Sequence, residues 1–384
     1  MHPAYDPGVA EEFQSRIARD GASWSKPVPE HHIVSLTELT APEVAAIESN
    51  SMWPRFLIGP VGLAAQAALA FYWPMGHPVW QVVWTALAAY VFFCWTSCFH
   101  EASHQTICGS RRFSVVVGQV IGTMLFVPYS IYRESHIRHH AYLNKPTDWE
   151  LWPYSDPQAS LWFRRIFCWL EFPLGVFTTP FAYGRLYFHS GSTLTDSKIR
   201  RRIGWEYVAM LIAWLVILTT VAVTGSWGIF LRAWVIPHWI ASVLQVFRKF
   251  TEHLGMKSYD PLLGTRTVIG QTLLTKLACY FNFDIFMHGP HHRHPRASTN
   301  QLRDKMAGYQ QGNPDLVYPV FPTYWSAIVD MLPAIWNPGV GMNAGASSPE
   351  AEKAQVENFV VDVSREILAD SDNETRNNLS QLPL

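Results

Sequence analysis

Charged residues are scarce in this sequence. Asp, Glu, Lys and Arg make up 15% of its 384 residues, while 49% are hydrophobic and 14% aromatic. Soluble domains carry about 25% charged residues, so the composition leans away from an ordinary soluble protein. The mean hydropathy is only +0.03, so a large polar part accompanies the apolar one. A net charge of −1 offers no electrostatic ground for a nucleic-acid partner. The five cysteines (Cys94, Cys98, Cys108, Cys168 and Cys279) form no CxxC pair, which argues against an iron–sulfur centre and for buried, reduced thiols. The opening MHPAYDPGVAEEF has no basic start followed by an apolar core, so no cleavable signal peptide is expected. There is no internal repeat, low-complexity tract, haem-binding domain or flavin fingerprint.

Long apolar runs, by contrast, are present. Phe56–Trp73 and Val79–Cys98 are each long enough to cross ~30 Å of hydrocarbon at about 1.5 Å per residue. The intervening PMGHP suits a tight turn. A second pair, Trp205–Thr224 and Trp227–Phe247, is joined at Gly225–Ser226. Residues 113–131, 162–188 and 268–287 are apolar but interrupted or short, and are expected to lie at the interface or beneath the spans. Arg111–Arg112, Lys198 with Arg200–Arg202, and Arg248–Lys249 flank the same ends of the four spans, whereas the two turns carry no Lys or Arg. Positive charge favours the cytosolic side, so both termini and the region between the pairs are expected there. Arg232, near the outer end of the fourth span, is expected to snorkel.

The expected fold is therefore an all-α integral membrane protein. Four transmembrane helices form two hairpins beneath a helical cytosolic cap. Residues 1–52 read as a cytosolic N-terminal arm with a helix near 38–50, and 53–340 as the membrane-embedded domain. Residues 341–384 read as a cytosolic tail, in which Ser348–Pro349 opens a helix with Val356, Phe359, Val360, Val363 and Ile367 on one stripe.

Nine of the sixteen histidines fall into four tight groups. His100 and His104 stand one helical turn apart at the end of the second span. His136, His139 and His140 repeat that spacing in HIRHH, as do His288, His291 and His292 in HGPHH. His253 lies just past the fourth span. With 113–131 and 162–188 not crossing, all four groups emerge on one face, where they form a shared metal site. Imidazole suits iron, copper, zinc and nickel alike. Four-coordinate zinc takes at most four ligands, whereas nine histidines would serve two metals with open positions left over. His294 reads as a cap or surface residue, and His2, His31, His32, His77, His189 and His238 as isolated.

HEASHQT, SHIRHHAYLN, TEHLG and HGPHHRHP resemble the three histidine boxes and intervening histidine of the membrane fatty acid desaturase and hydroxylase superfamily, over about residues 56–300. The resemblance implies two iron ions bound by His100, His104, His136, His139, His140, His253, His288, His291 and His292. It implies oxygen as co-substrate and hydrogen abstraction from a methylene of a fatty acyl or similar lipid chain. Acyl-coenzyme-A desaturases of this superfamily place an asparagine one turn before the intervening histidine. Here that position is Lys249, so a tenth, water-mediated contact must come from elsewhere or be absent. Glu101 and Glu252, beside ligands, and Asn144 and Asp148, in NKPTDW, are candidates to orient the ligands.

Desaturation is the leading expectation. Hydroxylation of an alkane, lipid or carotenoid, and decarboxylation of a fatty acid to a terminal alkene, are the alternatives, with a membrane metal-binding or transport protein as the non-enzyme one. Electrons are expected from an external donor, a ferredoxin or a small haem cytochrome with its reductase. The basic residues 198–202 could dock it, although they also suit lipid headgroups.

Overall fold

The structure, a computed structural model, describes residues 53–72, 78–192, 194–295, 297 and 299–346. The N-terminal arm with its helix near 38–50, the PMGHP turn up to His77 and the C-terminal amphipathic helix lie outside the described residues.

Four helices are long and apolar enough to cross a membrane: α1 (Trp53–Tyr72), α2 (Pro78–His104), α6 (Ser197–Thr224) and α7 (Trp227–His253). In α2 Pro78 takes the first helical position, where its missing N–H costs nothing. That helix is apolar for most of its length, then ends in Ser97, His100, Glu101, Ser103 and His104, all but His104 buried. On α6 the Asp196 side chain caps the start by accepting from the Lys198 and Ile199 N–H groups, and Gly225, at φ 65°, ends it in the left-handed region. Leu211, Leu215, Val216 and Val223 of α6 are exposed, as befits a helix facing hydrocarbon. A π turn at Leu231–Val235 interrupts α7 near its start and contains Arg232.

The apolar stretch 113–131 does not continue as one rod. Helix α3 (Arg111–Met124) and helix α4 (Tyr129–Ala141) meet at 105°. Phe126 adopts a positive φ and Pro128 opens α4, so the chain cannot run straight through. The bend is closed by Val127 N–H donating to the Gly122 carbonyl, and Gly122 allows it, because a Cβ there would lie 2.4 Å from the Val127 oxygen. Residues 161–188 form one long helix, α5 (Leu161–Phe188), broken at Leu174 just after Pro173. Only part of 268–287 is helical, as α8 (Leu273–Phe281). It is preceded by β1 (Thr267–Val268), which pairs in parallel with β2 (Val320–Phe321), the only sheet among the described residues. Helices α9 (His288–Arg293), α10 (Thr299–Gly312) and α11 (Tyr324–Met331) complete the fold.

Helix α7 is the axis of packing, lying against both α2 and α5. Phe92 and Phe93 of α2 share an apolar cluster with Ala241 of α7, Ile285 and Phe286. Phe250, four residues after Val246 on α7, packs with Phe167, Cys168 and Tyr154. A third cluster joins Phe99 of α2 to Val117, Ile121 and Tyr129 across the bend. Each such buried aromatic contributes about 1.5–3 kcal/mol. Together they fix the ends of α2, α4 and α7 beside one another.

Candidate metal centre

The nine histidines of the four motifs come from α2, α4, the last residue of α7, and α9. They separate into two groups. His100, His104, His136, His140 and His291 form one; His139, His253, His288 and His292 form the other. Within each group the nitrogens that could serve as ligands all lie within 4.8 Å of one another, and every ring is almost or wholly buried. Helices α4 and α9 each serve both groups. On α4, His136 and His140 stack one turn apart towards the first group, and His139 turns to the second. On α9, His288 and His292 serve the second group and His291 the first.

Hydrogen bonds fix which ring nitrogen faces inward. His136 turns Nδ1 to the Glu150 carboxylate at 3.2 Å, and His139 turns Nδ1 to Asp148 at 2.8 Å. The Nδ1 atoms of His140 and His288 face the carbonyls of His292 and Ile285 at 3.3 and 3.2 Å. Glu101 lies 3.4 Å from His100 Nδ1 and also accepts from the Thr106 hydroxyl. A ring that donates from Nδ1 presents a bare lone pair at Nε2 when neutral. His136 Nε2 and His140 Nε2 nevertheless stand 3.1 Å apart, with His104 Nε2 also 3.1 Å from His136. In the second group His288 Nε2 is 2.8 Å from His253 Nε2 and 3.0 Å from His292 Nε2. His100 Nε2 and His291 Nε2 are buried without a hydrogen-bond partner. His136 and His140, both committed at Nδ1, point lone pairs at one another, which repel unless a cation lies among them; with the convergence of buried imidazole nitrogens in both groups, these residues fit a bound metal at each.

Burial, reinforced by neighbouring imidazoles, pushes His140, His288 and His292 well below the usual histidine range, and His291 down to about 3. The rings are thus held neutral, the form that binds metal. Burial would lower His139 too, but the Asp148 carboxylate outweighs it and raises that ring. Burial also tends to raise Glu150, yet His136, His139 and the Tyr183 hydroxyl, which donates at 3.1 Å, hold its carboxyl at about 2.

Of the residues expected to orient the ligands, Glu101, Asp148 and Glu252 adjoin imidazoles. Asn144 touches none. Its backbone N–H donates to Asp148, and its side-chain amide donates to the Ser258 and Gly264 carbonyls at 2.8 Å each, tying the loop after α7 to the end of α4. Glu150 and Tyr183 escaped the sequence reading. Glu150 had a signal, two residues after Asp148 in TDWE; Tyr183 on α5 had none. His294 is the cap that ends α9 rather than a surface residue, its N–H donating to the Pro290 and His291 carbonyls. It is largely buried, with Nε2 2.8 Å from the Tyr309 hydroxyl. His189 is exposed and accepts from the Gly191 N–H, while His238 is buried within α7 beside Phe92 and Trp234. Lys249 pairs with the buried Glu171 of α5. Both line an 80 Å³ cavity that also touches Glu150, Glu252 and ligands of both groups.

Buried imidazoles gathered in two groups at the ends of membrane-length helices define a polyhistidine metal-binding membrane protein. The fatty acid desaturase family matches residues 78–324, and the chain belongs to it. Its relatives include an omega-6 fatty acid desaturase, chloroplastic, from Brassica napus, 22% identical over 68% of this chain and 60% of the relative. The corresponding Arabidopsis thaliana protein is 22% identical over 57% of this chain and 50% of its own length. An omega-3 fatty acid desaturase, chloroplastic, from Glycine max is 27% identical over 39% of this chain and 29% of its own length. The chain thus spans roughly half to 60% of the two omega-6 relatives.

Replacing Asp148 with Ala frees the His139 ring and should weaken metal binding about 10- to 100-fold. Chelator competition on the purified protein measures this, and an unchanged affinity would show that Asp148 does not hold the ligand.

Proposed function

We propose that this chain is an oxygen-dependent fatty acid desaturase whose nine histidines hold two irons, five imidazoles at one and four at the other. The observation that carries the reading is the convergence of inward nitrogens in two adjacent groups.

Bound irons would supply oxygen activation. The protein's own groups do the rest. Asp148, Glu150 and the His292 and Ile285 carbonyls hold the protons on the outer nitrogens of their rings, keeping the inner ones free. The aromatic packing of α2, α5 and α7 keeps bulk water from the site. The substrate is a fatty acyl or similar lipid chain, and electrons come from a ferredoxin or a small haem cytochrome with its reductase. Residues 53–340 form the catalytic domain. Helices α1 and α2, and α6 and α7, form two hairpins, and the histidine-bearing cap lies in the cytosol with both termini. The Lys and Arg residues at the histidine ends of the spans support that orientation.

Cells expressing the protein and fed isotopically labelled fatty acids should yield products lacking two hydrogens, detected by mass spectrometry. His104→Ala, His139→Ala or His291→Ala should abolish them, and His189→Ala should not. Products that gain one oxygen would instead make it a hydroxylase, and terminal alkenes one carbon shorter a decarboxylase.

Orientation is tested separately. A reporter fused after Leu384 should read as cytosolic and one inserted at Gly76 as external, with the sequons at Asn373 and Asn378 unmodified in a eukaryotic host. An external C-terminus would contradict the two-hairpin arrangement.

A further inference from the structure

Helix α11 and the short 3₁₀ turn that follows it, Leu332–Trp336, together read YWSAIVDMLPAIW. Ala327, Met331 and Ile335 form the buried face of this segment. On a helix that meets water the other face turns polar. Here it carries Trp325, Val329, Leu332 and Trp336, spaced by four, three and four residues and exposed by 70, 49, 42 and 67%. Ser326 is engaged in a capping box with Thr323. Asp330, the segment's one charged residue, accepts from Nε of the buried Arg266 at 2.7 Å. The outer face is therefore an unbroken apolar stripe.

The depth of the segment decides what meets that stripe. Tyr324 and Ala327 belong to the apolar cluster of Phe92 and Phe93 on α2 and Ala241 on α7. At about 1.5 Å per residue, Phe93 stands about 22 Å along α2 from Pro78, and Ala241 about 21 Å along α7 from Trp227. The hydrocarbon core of a bilayer is about 30 Å thick, so the cluster lies within it, in the half nearer the histidine ends. Further on, Met331 and Ile335 join Val246, Phe250 and Leu254, at the histidine end of α7. The segment thus slopes along α7 from inside the hydrocarbon towards its edge. There the Trp336 ring meets the exposed Trp169 of α5 edge-on at 5.8 Å, and its carbonyl accepts from Nε of the exposed Arg165 at 2.6 Å. Tryptophans beside an arginine suit the headgroup level.

We propose that α11 and Leu332–Trp336 are inserted into the bilayer leaflet on the histidine side, with Trp325, Val329, Leu332 and Trp336 against lipid. This rests on the four-span reading above. The segment does not cross: its length, about 20 Å at about 1.5 Å per residue, falls short of the hydrocarbon thickness. It anchors the part of the chain that follows the last histidine motif, and the leaflet covers a surface that water would otherwise meet. An apolar stripe left in water would instead be a site of association, so a second copy and the chain's own tail are the competing occupants.

Photo-crosslinking of the full-length protein in phosphatidylcholine nanodiscs tests the placement. The photoreactive residue p-benzoylphenylalanine is introduced singly at Trp325, Trp336, Gln310 and Leu215, and its adducts are identified by mass spectrometry. All four positions are exposed, so the probe displaces no buried side chain. Leu215, on α6, is the reference for lipid, and Gln310, on the polar helix α10, the reference for water. Probes at Trp325 and Trp336 should give lipid adducts at a yield close to that at Leu215 and several-fold above that at Gln310. Yields no higher than at Gln310 would overturn the proposal. So would adducts formed mainly with a second copy or with residues 349–367 of the same chain. A probe at Leu215 that captures no lipid would instead overturn the four-span reading itself.

Discussion

Two imidazole nitrogens that each present a lone pair, buried and 3.1 Å apart, repel one another. His136 and His140 are held in this way because their outer nitrogens are committed elsewhere, one to Glu150 and the other to the His292 carbonyl. A cation among the inward nitrogens turns that repulsion into attraction, and the geometry of the site follows from this one requirement. The polar groups that set the ring tautomers, the burial that keeps the rings neutral, and the aromatic clusters that hold the three helix ends together all serve it.

The membrane spans supply rigidity rather than chemistry. Helix α2 ends at His104 and α7 at His253, so the two most buried spans each deliver ligands from their final turns. The 105° bend between α3 and α4 lays the second motif across those ends instead of carrying it away along α3. Gly122, which leaves room for the Val127 carbonyl, and Asn144, which ties the loop after α7 to the end of α4, fix that placement. Neither contact is with an imidazole, yet both hold α4 where His136, His139 and His140 stand.

Much of this was legible because the relevant periods are short. A separation of four residues is one helical turn, so HEASH, HIRHH and HGPHH announce rings on common faces wherever those segments are helical. Runs of twenty apolar residues likewise declare membrane-length helices. Other features depended on tertiary geometry. The bend after Met124 needs a positive φ at Phe126, a residue that gives no hint of it. The assignment of His139 to one group and its neighbour His140 to the other depends on where α9 docks. Tyr183 reaches Glu150 from α5, 33 residues away, and His294 is buried by Tyr309 of α10. Val268 lies outside a helix because β1 pairs with a strand more than fifty residues later.

The central proposal is that the two groups of imidazoles, five in one and four in the other, each hold an iron. Elemental analysis of the full-length protein, purified from its membrane without added metal, tests it most directly. The account gives about two irons per chain, lost together with activity on chelation and restored with it by ferrous iron. Stoichiometric zinc, with iron unable to restore activity, would contradict it.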